Sequence, residues 1–417
     1  MTEAPDQRSP LRLIADADGP QAFALRDYLT RSEVPFLPIM VPRGAAAAAG
    51  IDLTGRRLPL VVLPEGAVLE DPNPEQVAAA LGWVKPPAQS TYDLIIYGAG
   101  PAGLSAAVYA ASEGLSVAVV ERDAVGGQAG FSSLIENYLG FPGGISGAEL
   151  AERARRQALS FGAELIVMRY GIARTFRDHD VRARLADGSE IHARAALCAT
   201  GVQWRRLGLD GEQGFRGAGI YYGAGTSEAS ACIGQHVYVV GGANSAGQAA
   251  MNLAAHAAHV TVVVRGPSLS STMSAYLLDR LAAQSNVTIL VHTRVVAVDG
   301  DEHLREITLD QAGTTTRVPA THLFVCIGGA PNTEWAATTD VQLDSRGFLL
   351  TGVDLSADDL QKWPRARSPY YLETSVPGIF AAGDVRANSV KRVASAVGEG
   401  AMAVTLIHRY LAEGAQR

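Results

Sequence analysis

Two short glycine-rich segments carry the chemistry that can be read from this 417-residue chain. The first, Gly98-Ala99-Gly100-Pro101-Ala102-Gly103, follows an apolar run at 92–97 and opens an alanine-rich stretch at 104–112. Strand, tight turn and helix in that order aim backbone N–H groups from a helix start at a pyrophosphate. Glu121 closes the next apolar run, 115–120, and an acid about 20 residues beyond such glycines suits a ribose hydroxyl. The strand context and the acid make this fingerprint specific. The second segment, Gly241-Gly242-Ala243-Asn244-Ser245-Ala246, repeats the pattern with alanine at its middle glycine, the position that lets backbone approach a pyrophosphate. The strand that follows it, 260–264, ends in Arg265 and not in an acid. A 2'-phosphate is therefore better accommodated there than a free hydroxyl, which favours NADPH, with NADH as the alternative.

Thiol chemistry is as informative by its scarcity. The chain has three cysteines, Cys198, Cys232 and Cys326, and no Cys-x-x-Cys. Cys198 and Cys326 lie in apolar strand-like runs and read as buried small hydrophobes.

Composition sets the outer limits. With 47% hydrophobic and 18% charged residues the chain is an ordinary globular one, and its length suggests two or three domains. A net charge of -7 argues against nucleic acid as a partner. The N-terminus lacks the charged and apolar regions of a signal peptide, and no apolar run approaches about 18 residues. The expected location is cytoplasmic, away from any membrane.

The elements that must hold these residues fall into blocks. Residues 85–91 form a linker, because the prolines of Val84-Lys85-Pro86-Pro87 block a helix where the pattern changes from helical to strand-like. Before it, 1–84 reads as a small α/β domain with strands at 11–15, 36–41, 58–63 and 67–69 and helices at 21–31 and 73–82. This order resembles a glutaredoxin or thioredoxin domain, with Leu58-Pro59 where that family has its cis-proline. Where its redox cysteines would follow the first strand stands Asp16-Ala17-Asp18-Gly19-Pro20. Thiol exchange is excluded, leaving a structural or docking role. The alanine run 45–49 is expected to be a loop or frayed helix.

Further motifs follow in a telling order: Gly126-Gly127-Gln128, Glu136-Asn137-Tyr138, Ala199-Thr200-Gly201, Gly329-Ala330-Pro331-Asn332-Thr333, Gly383-Asp384 after a short strand, and Arg392-Val393-Ala394 opening a helix. Together with both fingerprints, residues 92–417 resemble the low-molecular-weight thioredoxin reductases of the pyridine nucleotide-disulfide oxidoreductase family. The resemblance implies an α/β fold of two Rossmann-like three-layer domains beside the small thioredoxin-like one. An FAD domain, 92–208 and 326–417, would be interrupted by an NAD(P)H domain, 209–325. It also implies a homodimer in which the inserted domain rotates. FAD would be held by Gly98, Gly100, Pro101, Ala102, Gly103, Glu121, Gly127, Gln128, Asn137, Ala199, Thr200, Gly201, Gly383, Asp384, Arg392, Val393 and Ala394. NADPH would be held by Gly241, Gly242, Asn244, Ser245, Ala246 and Arg265.

The resemblance fails at the thiols. Where the family carries Cys-Ala-Thr-Cys-Asp, this chain has Ala224-Gly225-Thr226-Ser227-Glu228. A serine hydroxyl cannot cycle between disulfide and dithiolate, so Ser227 cannot relay electrons. Glu228 replaces the family's proton-donating aspartate; it reads either as a general acid for another substrate or as a solvated remnant.

Other residues say less. His256 and His259 read as an exposed helix face more than as a metal pair, and Trp204, Tyr221 and Tyr222 as core packing more than as a ring shield. The expected activity is hydride transfer from NADPH to FAD and then directly to a non-disulfide acceptor: a small molecule, oxygen, or a redox protein such as ferredoxin. Two alternatives stand beside it, an FAD oxidase of a small substrate that does not use NADPH, and a non-catalytic nucleotide sensor or docking protein.

Overall fold

The computed structural model describes residues 10–16, 19–42, 44–132, 134–177, 180–223, 232–301 and 303–414. The chain divides into two compact units, one of Met1–Leu81 with Trp204–Gly328, the other of Gly82–Gln203 with Gly329–Arg417.

In the first unit the N-terminal part runs β1 (Leu11–Asp16), α1 (Pro20–Arg31), β2 (Phe36–Val41), β3 (Ala47–Ala48), β4 (Ile51–Asp52), β5 (Leu60–Val62), β6 (Val68–Glu70) and α2 (Pro74–Ala80). Pro20 starts α1 with its φ preset for the helix. Asn73 starts α2 through a capping box with Gln76, at 2.9 and 2.8 Å. The sheet order is β2-β1-β5-β6, with β1 parallel to β2 and antiparallel to β5. The Leu58–Pro59 peptide is cis. The alanine run, expected as loop or frayed helix, instead supplies β3 of a two-stranded hairpin with β4, where backbone pairing between Ala47–Ala48 and Ile51–Asp52 overrides helix propensity.

The rest of this unit is a five-stranded, all-parallel sheet: β14 (Ile220–Tyr222), β15 (His236–Val240), β16 (His259–Val263), β17 (Val287–Leu290) and β21 (Leu323–Val325), in the order β14-β21-β15-β16-β17. Its helices are α5 (Asn244–Ala254) and α6 (Ala275–Ala282), and β18 (Thr293–Gly300), β19 (Leu304–Gln311) and β20 (Thr314–Pro319) form a meander. Parallel strands covered on both faces must be apolar throughout, as Val237, Val239 and Val240 are. His256 and His259 do not share a helix. α5 ends at Ala254, His256 lies in the following turn, and His259 begins β16 directly opposite His236.

The second unit is built on β7 (Thr91–Tyr97), β8 (Val117–Val120), β9 (Glu164–Ile166), β10 (Gly171–Arg177), β11 (Asp180–Leu185), β12 (Glu190–Cys198) and β23 (Ile379–Ala381). These make one seven-stranded sheet in the order β10-β11-β12-β7-β8-β9, with β23 also on β12. α3 (Pro101–Ser112), α4 (Gly147–Ser160) and α8 (Val393–Gly414) belong to it, α7 (Ala357–Gln361) is a short helix, and β13 (Val202–Trp204) pairs with β22 (Gly329–Pro331). α3 and α8 cross closely because their contact residues are small: Ser105 Oγ donates to the carbonyl of Val397 at 2.8 Å, and Gly400 lies over Ala102. A buried ion cluster fixes the return to α8. Glu373, fully buried, accepts from Arg367 at 2.7 Å and from the backbone N–H of Gly378 at 2.9 Å.

Candidate functional site

In the second unit the strands β7, β8 and β12 end side by side, and a cleft of about 350 Å³ opens at their carboxyl ends. Gly98, Glu121, Arg122, Thr200, Asn332 and Trp335 are among its lining residues. Such strand ends are where open parallel sheets bind ligands.

The turn from β7 into α3 is drawn tight by glycine. A Cβ on Gly98, which has φ +105°, would stand 2.4 Å from the carbonyl oxygen of Ala199, and one on Gly103 would stand 1.8 Å from that of Gly98. Pro101 is the first residue of α3, with Ala102 and Gly103 buried behind it and Gly100 extended in front. Gly127 begins a 3-10 turn at Gly127–Phe131, and a Cβ on it would meet Gly100 at 3.2 Å. Gln128 is half-buried in that turn, whereas Asn137 lies exposed in the loop beyond it.

Glu121 is buried. Its carboxylate accepts the backbone N–H of Ala99 at 2.7 Å and of Asp123 at 2.9 Å. Burial raises its pKa above the ordinary glutamate value, and those two N–H groups oppose the rise. One acid thus bonds to the glycine turn while lining the cleft.

Asn332 joins the chain's two passages through this unit. Its backbone N–H donates to Gly201 at 3.0 Å, its Nδ2 to the carbonyl of Thr200 at 2.8 Å, and its own carbonyl accepts Thr200 Oγ1 at 2.9 Å. Trp335 Nε1 donates to that same carbonyl, and Arg122 to Asn332 Oδ1. The turn Ala199-Thr200-Gly201 is held by this residue.

At the same carboxyl end of the sheet Gly383 and Asp384 follow β23, where a Cβ on Gly383 would stand 3.0 Å from that of Ala102. The backbone N–H of Gly383 donates to Glu399 at 2.7 Å, and Arg386, buried, donates to Glu399 at 2.8 Å. Burial raises the pKa of Asp384, against the pull of Lys391, whose Nζ donates to the Asp384 carbonyl at 2.8 Å. Arg392 is exposed just before α8, with Val393 and Ala394 in its first turn. Glu399, Arg386 and Arg122 carry no spacing that marks them in the sequence. Only the fold brings them here.

The first unit repeats the turn at Gly241, whose Cβ would stand 2.3 Å from the carbonyl oxygen of Cys326. Ala243 caps α5 with φ -111° and is exposed, so its methyl causes no backbone strain. Asn244 Oδ1 accepts from the backbone and hydroxyl of Ser274, each at 2.8 Å, and Thr272 Oγ1 donates to the carbonyl of Gly242. Ser245 is exposed at the helix start, Ala246 is buried, and Arg265 stands exposed at the end of β16. Tyr221 is buried and stacked on Phe324, as core packing requires, and Trp204 lies against Gly223. Ser227 and Glu228 lie outside the described residues.

All three cysteines are buried. Burial pushes the Cys326 thiol up to about 12.

The family model for pyridine nucleotide-disulphide oxidoreductases matches residues 92–400. The chain belongs to that family. It is 33% identical over 326 residues to a thioredoxin reductase of Treponema pallidum, covering 78% of this chain and 98% of the relative. A thioredoxin reductase of Mycolicibacterium smegmatis is also 33% identical, over 341 residues, with 78% and 98% covered. The solved thioredoxin reductase of Lactococcus lactis superposes with a TM-score of 0.69 at 25% identity, covering 77% of this chain and 99% of that one. This family member is an FAD-dependent oxidoreductase, and its cofactors are FAD and NADPH. The residues present fit both groups: a close-approach glycine turn with a buried acid in one unit, and a second such turn in the other, with the exposed Arg265 after the strand that follows it. No helix among the described residues is long and apolar enough to cross a membrane.

Proposed function

We propose that this enzyme passes the electrons of NADPH through FAD to an acceptor that is not a protein disulfide. The observation that carries the reading is the state of its thiols. Each cysteine is buried, none forms a Cys-x-x-Cys, and the Cys326 thiol stays protonated at neutral pH. A dithiol relay needs two accessible, closely spaced sulfurs, which this chain lacks.

The residues divide by role in this reading. Gly98, Gly100, Pro101, Ala102 and Gly103 take the FAD pyrophosphate, and Glu121 its ribose hydroxyls. Gly127, Gln128, Asn137, Ala199, Thr200 and Gly201 wall its path, while Gly383, Asp384, Arg392, Val393 and Ala394 take the flavin end. Gly241, Gly242, Asn244, Ser245, Ala246 and Arg265 hold NADPH. When bound, FAD would supply the two-electron chemistry that joins a hydride donor to the acceptor. Where the acceptor takes up protons as well as electrons, as a quinone or oxygen does, Glu228 would donate one and be reprotonated from solvent, while Ser227 takes a sulfur's place without redox work. The N-terminal part is a thioredoxin-like domain without its thiols, and the enzyme works as a cytoplasmic homodimer.

The test mixes FAD-loaded protein anaerobically with NADPH, follows the loss of flavin absorbance, and then offers acceptors. Bleaching followed by reoxidation with ferricyanide, a quinone or oxygen is expected, with thioredoxin and small disulfides left at background. NADPH-dependent reduction of a protein disulfide at enzymatic rates would overturn the reading.

A further inference from the structure

Helix α1 is covered on more than one side. Of its 12 residues only Pro20 is exposed, although a helix resting on a single sheet presents a polar face to solvent. Leu25 and Leu29 pack with Leu11, Leu13 and Val61 of their own sheet. Phe23 points elsewhere. It joins the apolar layer of the five-stranded sheet, with Tyr221, Val239, Ala246 and Phe324.

The seat for Phe23 is shaped to receive it. Gly217 is buried with φ +78°, and a Cβ there would stand 3.0 Å from the Phe23 ring, so a side chain at 217 would meet both backbone strain and the ring. The Phe23 and Tyr221 rings are 5.2 Å apart. Tyr221 stacks in turn on Phe324 at 5.2 Å, and its backbone is in register with Phe324 on β21. Two residues beyond Phe324, Cys326 donates its N–H to Val240 at 2.7 Å, and its carbonyl lies against Gly241. Rings and strands in direct contact therefore run from the N-terminal part to the second glycine turn.

We infer that α1 is a working part of the nucleotide-binding layer, and that Phe23 links the seating of the N-terminal domain to NADPH binding at the Gly241 turn. The inference rests on the reading of Gly241 to Ala246 as that nucleotide's turn. The thiol-free domain thereby acquires a role, holding β14 and β21 where the turn needs them. Linkage of this kind is reciprocal, so the nucleotide must also tighten the seat.

The experiment uses the full-length, FAD-loaded protein with NADP⁺ as probe, read by titration and by amide hydrogen exchange. In the wild type, NADP⁺ is expected to slow exchange in α1 as well as around the turn. Phe23→Ala and Gly217→Val are expected to speed exchange at Ile220–Tyr222 and to weaken NADP⁺ binding about fivefold or more. FAD content should be unchanged. Phe23→Leu, which keeps apolar volume, should shift both readouts less and in the same direction, and it serves if the harsher variants do not fold. Unchanged NADP⁺ affinity in the variants, or α1 exchange indifferent to NADP⁺, would overturn the inference. Both readouts are independent of any acceptor, so failure of the acceptor assay leaves them standing. A wild type that does not bind NADP⁺ would sink the linkage together with the reading of the turn.

Discussion

The Glu121 carboxylate accepts the Ala99 backbone N–H at 2.7 Å, bonding the acid after β8 to the turn after β7. The acid and the glycine turn thus form one hydrogen-bonded corner. Because burial raises the pKa of Glu121, the group keeps its proton to higher pH in the folded protein than in the unfolded chain. Its contribution to stability is greatest below the unfolded value and is lost as pH rises through the folded one. Ribose hydroxyls donate best to the ionised form, so FAD affinity of the apoprotein should rise with pH across the same window. Glu121→Gln should flatten that rise and weaken FAD by about tenfold or more, from the loss of charged hydrogen bonds of roughly 1.5 kcal/mol or more. FAD titration of the apoprotein from acid to neutral pH decides it.

Gly103→Ala should be damaging for a backbone reason. The new methyl would stand 1.8 Å from the Gly98 carbonyl oxygen, and relieving that overlap should cost about 1–3 kcal/mol and release FAD. Gly214→Ala, where the methyl meets nothing within 4 Å, is the matched control and should leave the melting temperature nearly unchanged. Equal effects of the two would contradict the close approach.

Arg265→Ala should raise the KM for NADPH about tenfold, as expected for losing a charged hydrogen bond of roughly 1.5 kcal/mol, and leave that for NADH nearly unchanged. Steady-state rates with a non-disulfide acceptor give both values. Equal changes with the two nucleotides would remove Arg265 from 2'-phosphate recognition.

No cysteine of the native protein should react with a thiol-specific chromogenic disulfide at neutral pH, since all three are buried. Under denaturant all three should titrate. One fast-reacting thiol in the native enzyme would reopen thiol chemistry.

What could be read from the sequence was whatever rests on local backbone chemistry. The order of strand, glycine turn and helix located β7 and α3, because a close approach of backbone to backbone leaves only glycine as a solution at Gly98 and Gly103. Glu121 was visible by its distance from that turn. Asn332 was visible as part of a motif but not as a clamp, since its partners Thr200 and Gly201 are remote in sequence. Glu399 and Arg386 were invisible for the same reason. The alanine run and the two histidines misled because helix propensity and spacing are weak beside strand pairing, which decides both places.

The pairing of β13 with β22 makes the chain's departure from the second unit and its return neighbours. With Asn332 bonded to Gly201, the scaffold meets everything between as one closed loop on a two-stranded stalk. The segment between thus leaves and re-enters the second unit through one hydrogen-bonded pair of strands, and strain on either strand is felt by both.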